Sequence, residues 1–203
     1  SPSMPACAPS LAAAEPGQNG AVIRRADASD AAALHAIAAE TFPLATTPGT
    51  DPVDIAAFIE AHLTEASFVG YLGDADRILL VDEVDGELLG YTMLVLGVPY
   101  DEDVRAAVEA SFGAADIASC AELSKCYVRA TAQGSGLAQR LIAASIEAVA
   151  ERGARVLWLG VNQHNPRAVA FYGKTGFERI GMKAFNVGDR QEHDFVLAQS
   201  VSV

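Results

Sequence analysis

The chain has 203 residues, of which 51% are hydrophobic, and its formal net charge is −12. This length predicts one large α/β domain, or one domain with an appendage, and the composition is ample for a buried core. No apolar run approaches the roughly 18 residues that a membrane span needs. No basic stripe of the kind that binds nucleic-acid phosphates is present either. We therefore expect neither a membrane nor a nucleic-acid partner, and the acidity suits either a cationic substrate or solubility alone.

The three cysteines form no CxxC pair and have no metal-ligand spacing, which favours a reducing cytoplasm and no metal cofactor. The opening SPSMPACAPSLAAAEPGQNG is rich in Pro, Ala and Ser. It lacks the basic start and the continuous apolar core of a signal peptide. We interpret residues 1–20 as a disordered tail, with Ser1–Ser3 as a candidate cloning remnant, and residues 21–203 as a single domain.

The domain begins with a predicted strand and a predicted helix. AVIRRA at 21–26 predicts a short strand, and the Ala-rich segment Asp27–Glu40 predicts a helix that Ser29 or Asp27 can cap. Three prolines and a glycine predict a loop over Phe42–Pro52.

A second helix and a hairpin follow. Asp51-Pro52 supplies a cap and a first-turn proline for the helix. Two apolar runs that flank Asp85-Gly86 predict a β-hairpin with strands near 78–84 and 87–96. The acidic segment Tyr100–Ala118 predicts a helical insertion between strands.

The second half of the domain alternates strands with helices. Strands are predicted at 121–128 and 156–161, with an amphipathic helix over Leu137–Arg152 between them. Asn165-Pro166 predicts the start of another helix, which ends before Gly176. A closing strand pair, Phe177–Phe185 and Gln191–Leu197, is predicted around Val187-Gly188-Asp189. This order of elements predicts a mixed sheet with helices on both faces.

The stretch Gln133-Gly-Ser-Gly-Leu-Ala138 places two glycines immediately before the helix that begins at Leu137. Gly134 and Gly136 would let the backbone approach a ligand closely. The free N–H groups and the partial positive charge of a helix N-terminus favour an anion. A P-loop would need a lysine that is missing, and a dinucleotide fingerprint would need a glycine where Gln139 stands. The residues alone leave a plain turn and a phosphate cradle both open.

Two separate motifs resemble the GNAT superfamily of N-acetyltransferases. Gln133, Gly136 and Ala138 occupy the defining positions of its acetyl-CoA loop, Q/R-x-x-G-x-G/A. AELSKCYVRA resembles the fourth strand of the family, and VLWLGVNQHNPRAVAFYGKTGFERIG resembles its second signature. The resemblance covers about Val22–Leu197. It implies a single acetyltransferase domain with a mostly antiparallel sheet of six to seven strands, and acetyl-CoA as the cosubstrate.

A narrower similarity, from LWLGV to the terminal strand Asp194-Phe-Val-Leu, is to the bacterial spermine/spermidine acetyltransferases of the PaiA type. It implies a polyamine acceptor such as spermidine or spermine. Candidate carboxylates for a polycation lie in the loop between Glu40 and Asp51 and in the run Asp101–Asp103, although solvated acidic loops are the favoured interpretation of these residues. The match is looser before residue 75 and across the insertion. Another small amine, a peptide amine, or a catalytically silent acyl-CoA sensor are the alternatives, and a homodimer is compatible with the sequence.

The resemblance implies roles for individual residues. Tyr172 is implied as the general acid that protonates the CoA thiolate, with core packing against Phe171 as the alternative. Glu122 is a candidate from its position rather than from the resemblance: at the start of the strand before the loop, its carboxylate could take a proton from the acceptor ammonium, directly or through water, with a solvated strand-end carboxylate as the alternative. Cys126 has no His–Asp partners for a nucleophilic role. The residues implied to contact acetyl-CoA are Cys126, Tyr127, Val128, Gln133, Gly134, Ser135, Gly136, Leu137, Ala138, Asn165 (also a helix cap) and Tyr172.

Overall fold

The structure, a computed structural model, describes residues 20–46, 49–187 and 190–202. The predicted tail, apart from its last residue, and the turn residues Gly188-Asp189 lie outside this range. The strands within the described residues are β1 Ala21–Arg25, β2 Arg77–Val84, β3 Glu87–Leu96, β4 Cys120–Val128, β5 Val156–Asn162, β6 Glu178–Val187 and β7 Arg190–Ser200. The α-helices are α1 Ala31–Ala45, α2 Pro52–His62, α3 Glu65–Leu72, α4 Glu102–Phe112, α5 Leu137–Ala150 and α6 Pro166–Lys174.

The strands form one sheet in the order β1-β2-β3-β4-β5-β7-β6. Every neighbouring pair is antiparallel except β4 and β5, which are parallel and are connected through α5. The mixed, mostly antiparallel sheet predicted from the sequence is therefore confirmed. Its single parallel pair lies near the centre, where both strands are covered on both faces.

Side chains alternate along each strand and divide the core between the two faces of the sheet. On one face, Leu123 and Leu157 pack with Leu141 of α5. On the other face, α1 and α3 cover the first three strands, while α4 covers Val156 and Trp158 of β5. The predicted placement of helices on both faces is confirmed.

The predicted loop over Phe42–Pro52 is wrong at its start, because α1 continues through Pro43 to Ala45. Pro43 lies in the last turn, where the missing N–H removes only one helical hydrogen bond. The Phe42 ring stacks on Phe58 of α2 with centroids 4.5 Å apart. This packing and the buried Thr41 hold the last turn in the helix.

A short helix that the sequence pattern did not indicate, α3, follows α2. The side chain of Thr64 caps it by accepting a hydrogen bond from the Ser67 N–H at 3.1 Å. Phe68 is fully buried and meets the Tyr91 ring edge-on at 5.6 Å. One aromatic contact thus anchors a helix that is too short to show a helical period.

Two buried polar contacts fix α5 on the sheet. The Arg140 guanidinium donates to the fully buried Asp82 of β2 at 2.8 Å. The Ser145 hydroxyl donates to the Leu141 carbonyl at 2.7 Å and lies 2.9 Å from the Thr92 hydroxyl of β3. Because Asp82, Thr92 and Ser145 are buried, shifting α5 would leave them without these partners. The N-terminus of α5 is therefore held in a defined position.

Candidate active site

The site originates where β4 and β5 stop pairing. The two strands are paired only at Cys120–Glu122 and Val156–Trp158, at their N-terminal ends. A β-bulge at Ser124, seen as a register shift against β3, bends β4 at the point of separation. A cavity of about 530 Å³ opens between the diverging strands. We call this cavity the slot.

The slot gathers most of the residues that the sequence singled out as cofactor contacts. Its walls include Leu123–Val128 of β4 and Leu159–Asn162 of β5. The predicted cofactor residues on these walls are Cys126, Tyr127, Val128, Gln133, Gly134, Gly136, Leu137, Ala138, Asn165 and Tyr172. Ser135 is not among the lining residues, because its hydroxyl turns back and donates to the Ala132 carbonyl at 2.6 Å.

The edge of β4 along the slot carries free backbone groups. From Leu123 to Val128 this strand pairs with β3 on one side, but β5 has already moved away on the other. In an antiparallel pair, alternate residues direct their N–H and C=O groups away from the partner strand. These groups need an acceptor or donor from water or a ligand.

The glycine loop lies at one end of the slot. Gly134 and Gly136 have φ values of +81° and +82°, a left-handed backbone that L side chains rarely adopt. Within the described part of the chain, no acceptor receives the N–H groups of Gly134, Gly136 or the first residues of α5. Successive free N–H groups at a helix N-terminus form an anion-binding concavity.

A contact that sequence reasoning missed tethers the start of this loop. Arg129 donates to the Leu88 carbonyl at 3.2 Å and forms an ion pair with Glu40 of α1 at 2.9 Å. Glu40 was predicted as a candidate carboxylate for a polycation, and here it already has a cationic partner. Gly90 of β3 provides space for Leu137, because an added Cβ would come within 2.9 Å of the Leu137 Cδ2 atom.

Tyr172 on α6 combines a core position with a polar contact. Its ring packs edge-on against Phe171 and Phe177, with centroids 5.2 Å and 5.7 Å away. Its hydroxyl interacts with the Cys126 thiol at the wall of the slot. Burial raises the pKa of Tyr172 well above 10. The hydroxyl therefore remains protonated and can donate a hydrogen bond at any pH near neutrality.

Cys126 is chemically quiet in this environment. Burial raises the pKa of its thiol to about 12, against a small opposing effect of the hydrogen bond with Tyr172. The thiolate is the nucleophilic form of cysteine, and it would be scarce at neutral pH. The geometry therefore agrees with the absence of a nucleophile motif at Cys126.

Asn165 caps α6, as predicted. Its side-chain oxygen accepts a hydrogen bond from the Ala168 N–H at 3.0 Å, and Pro166 follows at the first helical position. Asn165 also lines the slot. The cap fixes the position of α6, and therefore also the position of the Tyr172 side chain relative to the slot.

Glu122 lies on the same strand as Cys126 but on the opposite face of the sheet. It is half-buried, is not among the residues that line the slot, and pairs across β4 and β5 with Trp158. Burial raises the pKa of its carboxyl, and the positive charges of Lys183, Lys125 and Arg77 oppose this shift. The structure thus places Glu122 on the face away from α5, one residue before the first β4 residue that lines the slot.

Lys125 and Lys183 were missed by sequence reasoning. Residues three apart on a regular strand point to opposite faces, so Lys125 would be expected to face away from Glu122. The bulge at Ser124 inserts one residue and returns Lys125 to the face of Glu122. Lys183 approaches from β6, which is distant in sequence.

The described residues contain no group of three or more His, Cys, Asp or Glu side chains that could hold a metal ion. No helix in the described ranges is long and apolar enough to cross a membrane.

Comparison with protein families and known proteins agrees with this geometry. The model of the GNAT acetyltransferase family matches residues 32–177. An uncharacterized N-acetyltransferase of Mycobacterium bovis is 39% identical over 173 residues, which are 85% of this chain and 99% of that protein. An uncharacterized N-acetyltransferase of Lactobacillus delbrueckii subsp. lactis is 32% identical over 168 residues, or 82% of this chain and 89% of that protein.

Solved structures share the fold at low sequence identity. The PaiA N-acetyltransferase of Thermoplasma acidophilum, in complex with coenzyme A, has a TM-score of 0.67 at 18% identity, over 89% of this chain and 98% of that one. The ribosomal-protein-S18-alanine N-acetyltransferase of Escherichia coli has a TM-score of 0.62 at 18% identity, over 90% and 95% of the two chains. These similarities extend across the strands, loop and helices that form the slot.

Proposed function

This chain belongs to the GNAT acetyltransferase family, and we propose that it transfers the acetyl group of acetyl-CoA directly to a primary amine at the slot between β4 and β5. As an N-acetyltransferase it takes acetyl-CoA as its cosubstrate. The proposal rests mainly on one observation. The free edge of β4, the free N–H groups of the glycine loop and the Tyr172 hydroxyl all face the same cavity.

Each part of the slot fits a different part of the cosubstrate. The N–H groups of Gly134 and Gly136 and of the first turn of α5 would hold the pyrophosphate, since they have no other acceptor in the described chain. The β4 edge at Cys126–Val128 would pair with the pantetheine amides as a neighbouring strand would. Asn165 would bind the same arm. Ser135 would contribute through its backbone, since its hydroxyl points away.

The chemical step needs two protons removed from the amine nitrogen and one supplied to the sulfur. Glu122 would accept a proton from the acceptor ammonium, directly or through water, so that the neutral amine attacks the thioester carbonyl. A C–N bond forms, the C–S bond breaks, and the Tyr172 hydroxyl would donate a proton to the departing thiolate. The second proton of the nitrogen would return through water to the Tyr172 oxygen, so that only the proton taken by Glu122 is released to solvent. Because the pKa of the Cys126 thiol is raised to about 12, a covalent intermediate on this residue is disfavoured, and direct transfer fits better.

The acceptor implied by the resemblance to PaiA-type enzymes is spermidine or spermine. The net charge of −12 favours a polycation over long distances. We keep this polyamine acceptor as one candidate. A cytoplasmic, reducing location agrees with the protonated thiols of Cys120 and Cys126, whose pKa values are both raised.

The glycine loop gives a test of the cosubstrate site. Gly136→Val places a branched side chain at the approach to the loop N–H groups, and we expect it to weaken acetyl-CoA binding at least tenfold by calorimetry. Gly153→Val is the matched control, since Gly153 has φ +80° and open space around it at the far end of α5. Both variants should be destabilised by about 1–2 kcal/mol through backbone strain. Equal affinity of the two variants for acetyl-CoA would contradict the cradle.

Tyr172→Phe should lower kcat by on the order of 100-fold, because it removes the proton donor while retaining the ring that packs against Phe171. Acetyl-CoA affinity should stay close to wild type, since the lost group acts only as the thiolate departs. Tyr71→Phe is the control, because the Tyr71 hydroxyl donates to the His62 carbonyl away from the slot. If the Tyr172→Phe variant kept the wild-type kcat, Tyr172 would not be the proton donor and would have only a structural role.

The base can be tested through the pH profile. The raised pKa of Glu122 means that its carboxyl is still partly protonated above the normal range of a glutamic acid, so kcat/KM should rise with pH through that raised pKa. Glu122→Gln should lower kcat/KM and abolish this acid limb. Glu109→Gln, on the exposed side of α4, should keep both the rate and the profile. An acid limb that persists unchanged in Glu122→Gln would mean that another group is titrating.

A further inference from the structure

Two lysines lie close enough to Glu122 for their charges to act on its carboxyl, and one of them is a wall residue of the slot. Lys125 lies on β4 and lines the slot. Lys183 extends from β6 across β7 to β5, where its Nζ atom lies 5.9 Å from the centre of the Trp158 ring. Trp158 is buried and is the β5 neighbour of Glu122, so Lys183 and Glu122 lie on the same face of the sheet.

Gly160 is the residue that admits Lys183. A Cβ atom at this position would lie 2.8 Å from the Lys183 Cε and 3.2 Å from its Nζ. The missing side chain on β5 therefore lets the ammonium group rest over the strand. Asp194 of β7 also reaches this point, with its Oδ2 atom 3.4 Å from the same Cβ position. Gly160 itself lines the slot, and the Lys183 side chain packs against this residue without being a lining residue.

The concentration of positive charge here is unusual for this chain. It contains three lysines and has a net charge of −12, yet two of the three lysines lie near Glu122 and oppose the rise of its carboxyl pKa. Among the described residues, no carboxylate lies within 4.0 Å of either Nζ atom. Burial lowers the pKa of Lys125, while Glu122 opposes that shift. A half-buried ammonium group without a close partner is favoured by a bound anion.

Several of the acidic residues predicted to hold a polycation have partners within the protein, although Glu102 and Asp103 are exposed. Asp101 caps α4 by accepting from the Asp103 N–H at 2.9 Å, and Asp51 caps α2 in the same way. Glu40 forms the ion pair with Arg129. The carboxylates nearest the slot mouth are Glu122 and Asp194, and the lysines lie beside them. A polyamine would bring additional positive charges against these lysines.

We propose that the acceptor is a small amine that also carries a carboxylate, an amino-acid-like molecule, and that Lys125 and Lys183 bind this carboxylate while Glu122 faces the amino group. This inference rests on the proposed function, because it names the acceptor of that same site. The negative carboxylate of the acceptor thereby meets the two lysines, and its positive amino group meets Glu122. The exposed Tyr100 ring, which packs 6.5 Å from the buried Trp158 ring, offers apolar surface for the rest of the molecule.

The experiment compares matched acceptors. Thiol release from acetyl-CoA is followed with a panel of L-amino acids, their neutral amides and spermidine. We expect kcat/KM for the preferred amino acid to exceed that for its amide at least tenfold, mainly through KM, and to exceed that for spermidine. Lys125→Gln and Lys183→Gln should each reduce the acid-to-amide ratio several-fold. Lys174→Gln, the third lysine, lies exposed on α6 and should leave the ratio unchanged.

A second variant tests position without changing charge. Gly160→Ala places a Cβ where the Lys183 side chain rests, so it should reduce the acid-to-amide ratio as Lys183→Gln does. Equal rates for acids and amides, or a higher rate for spermidine, would overturn the carboxylate proposal and leave the acetyltransferase proposal intact. No thiol release with any amine would contradict the proposed function. In that case the carboxylate proposal is tested by calorimetry, which compares the binding of each amino acid and its amide to the CoA-saturated protein. Tighter binding of the acid supports the proposal, and equal binding overturns it.

Discussion

The organisation of this protein depends on one interruption of backbone pairing. β4 and β5 share three residues of parallel ladder and then separate, which leaves the outer edge of β4 without a strand partner. In an ordinary sheet, such a break would expose polar groups at the centre of the molecule at a considerable cost in free energy. Here the break opens a slot, and a ligand with amide groups can replace the missing strand. The bulge at Ser124 is the local device that bends β4 away.

The remaining elements hold the walls of this slot at fixed positions. α5 is secured by the Asp82–Arg140 ion pair and by the buried hydroxyls of Thr92 and Ser145, so the glycine loop before it has a defined location. α6 is positioned by its Asn165 cap and by the rings that surround Tyr172. Rigid elements thus carry the groups that the proposed chemistry needs, as preorganised sites require.

Most of the fold could be predicted from the sequence because its signals are local. The turn Asp85-Gly86 and the cap Asn165-Pro166 mark boundaries that the structure reproduces. The extension of α1 through Pro43 and the short α3 were not predictable in this way, since aromatic contacts with distant residues hold both. Propensity is a weak guide where tertiary packing decides.

The residues of the candidate site were likewise predictable only where they belong to local sequence motifs. The glycine loop and Tyr172 belong to contiguous motifs, and a family resemblance could identify them. Lys125 was hidden because a bulge reverses the face on which it lies, and Lys183 because β6 and β5 are brought together only through β7. The overall acidity of the chain pointed towards a cationic acceptor, whereas the charges beside Glu122 are positive. Net charge describes attraction at a distance, and the local arrangement of charges determines what binds.

The central claim is that acetyl-CoA occupies the slot by pairing with the free backbone of β4 and the glycine loop. Amide hydrogen exchange measured residue by residue, with and without coenzyme A, tests it most directly. The account predicts added protection at Gly134, Gly136 and the first turn of α5, and along Cys126–Val128, with little change in β1 and β6. Protection confined to other elements, or a glycine loop and β4 edge that exchange equally fast with and without coenzyme A, would contradict it.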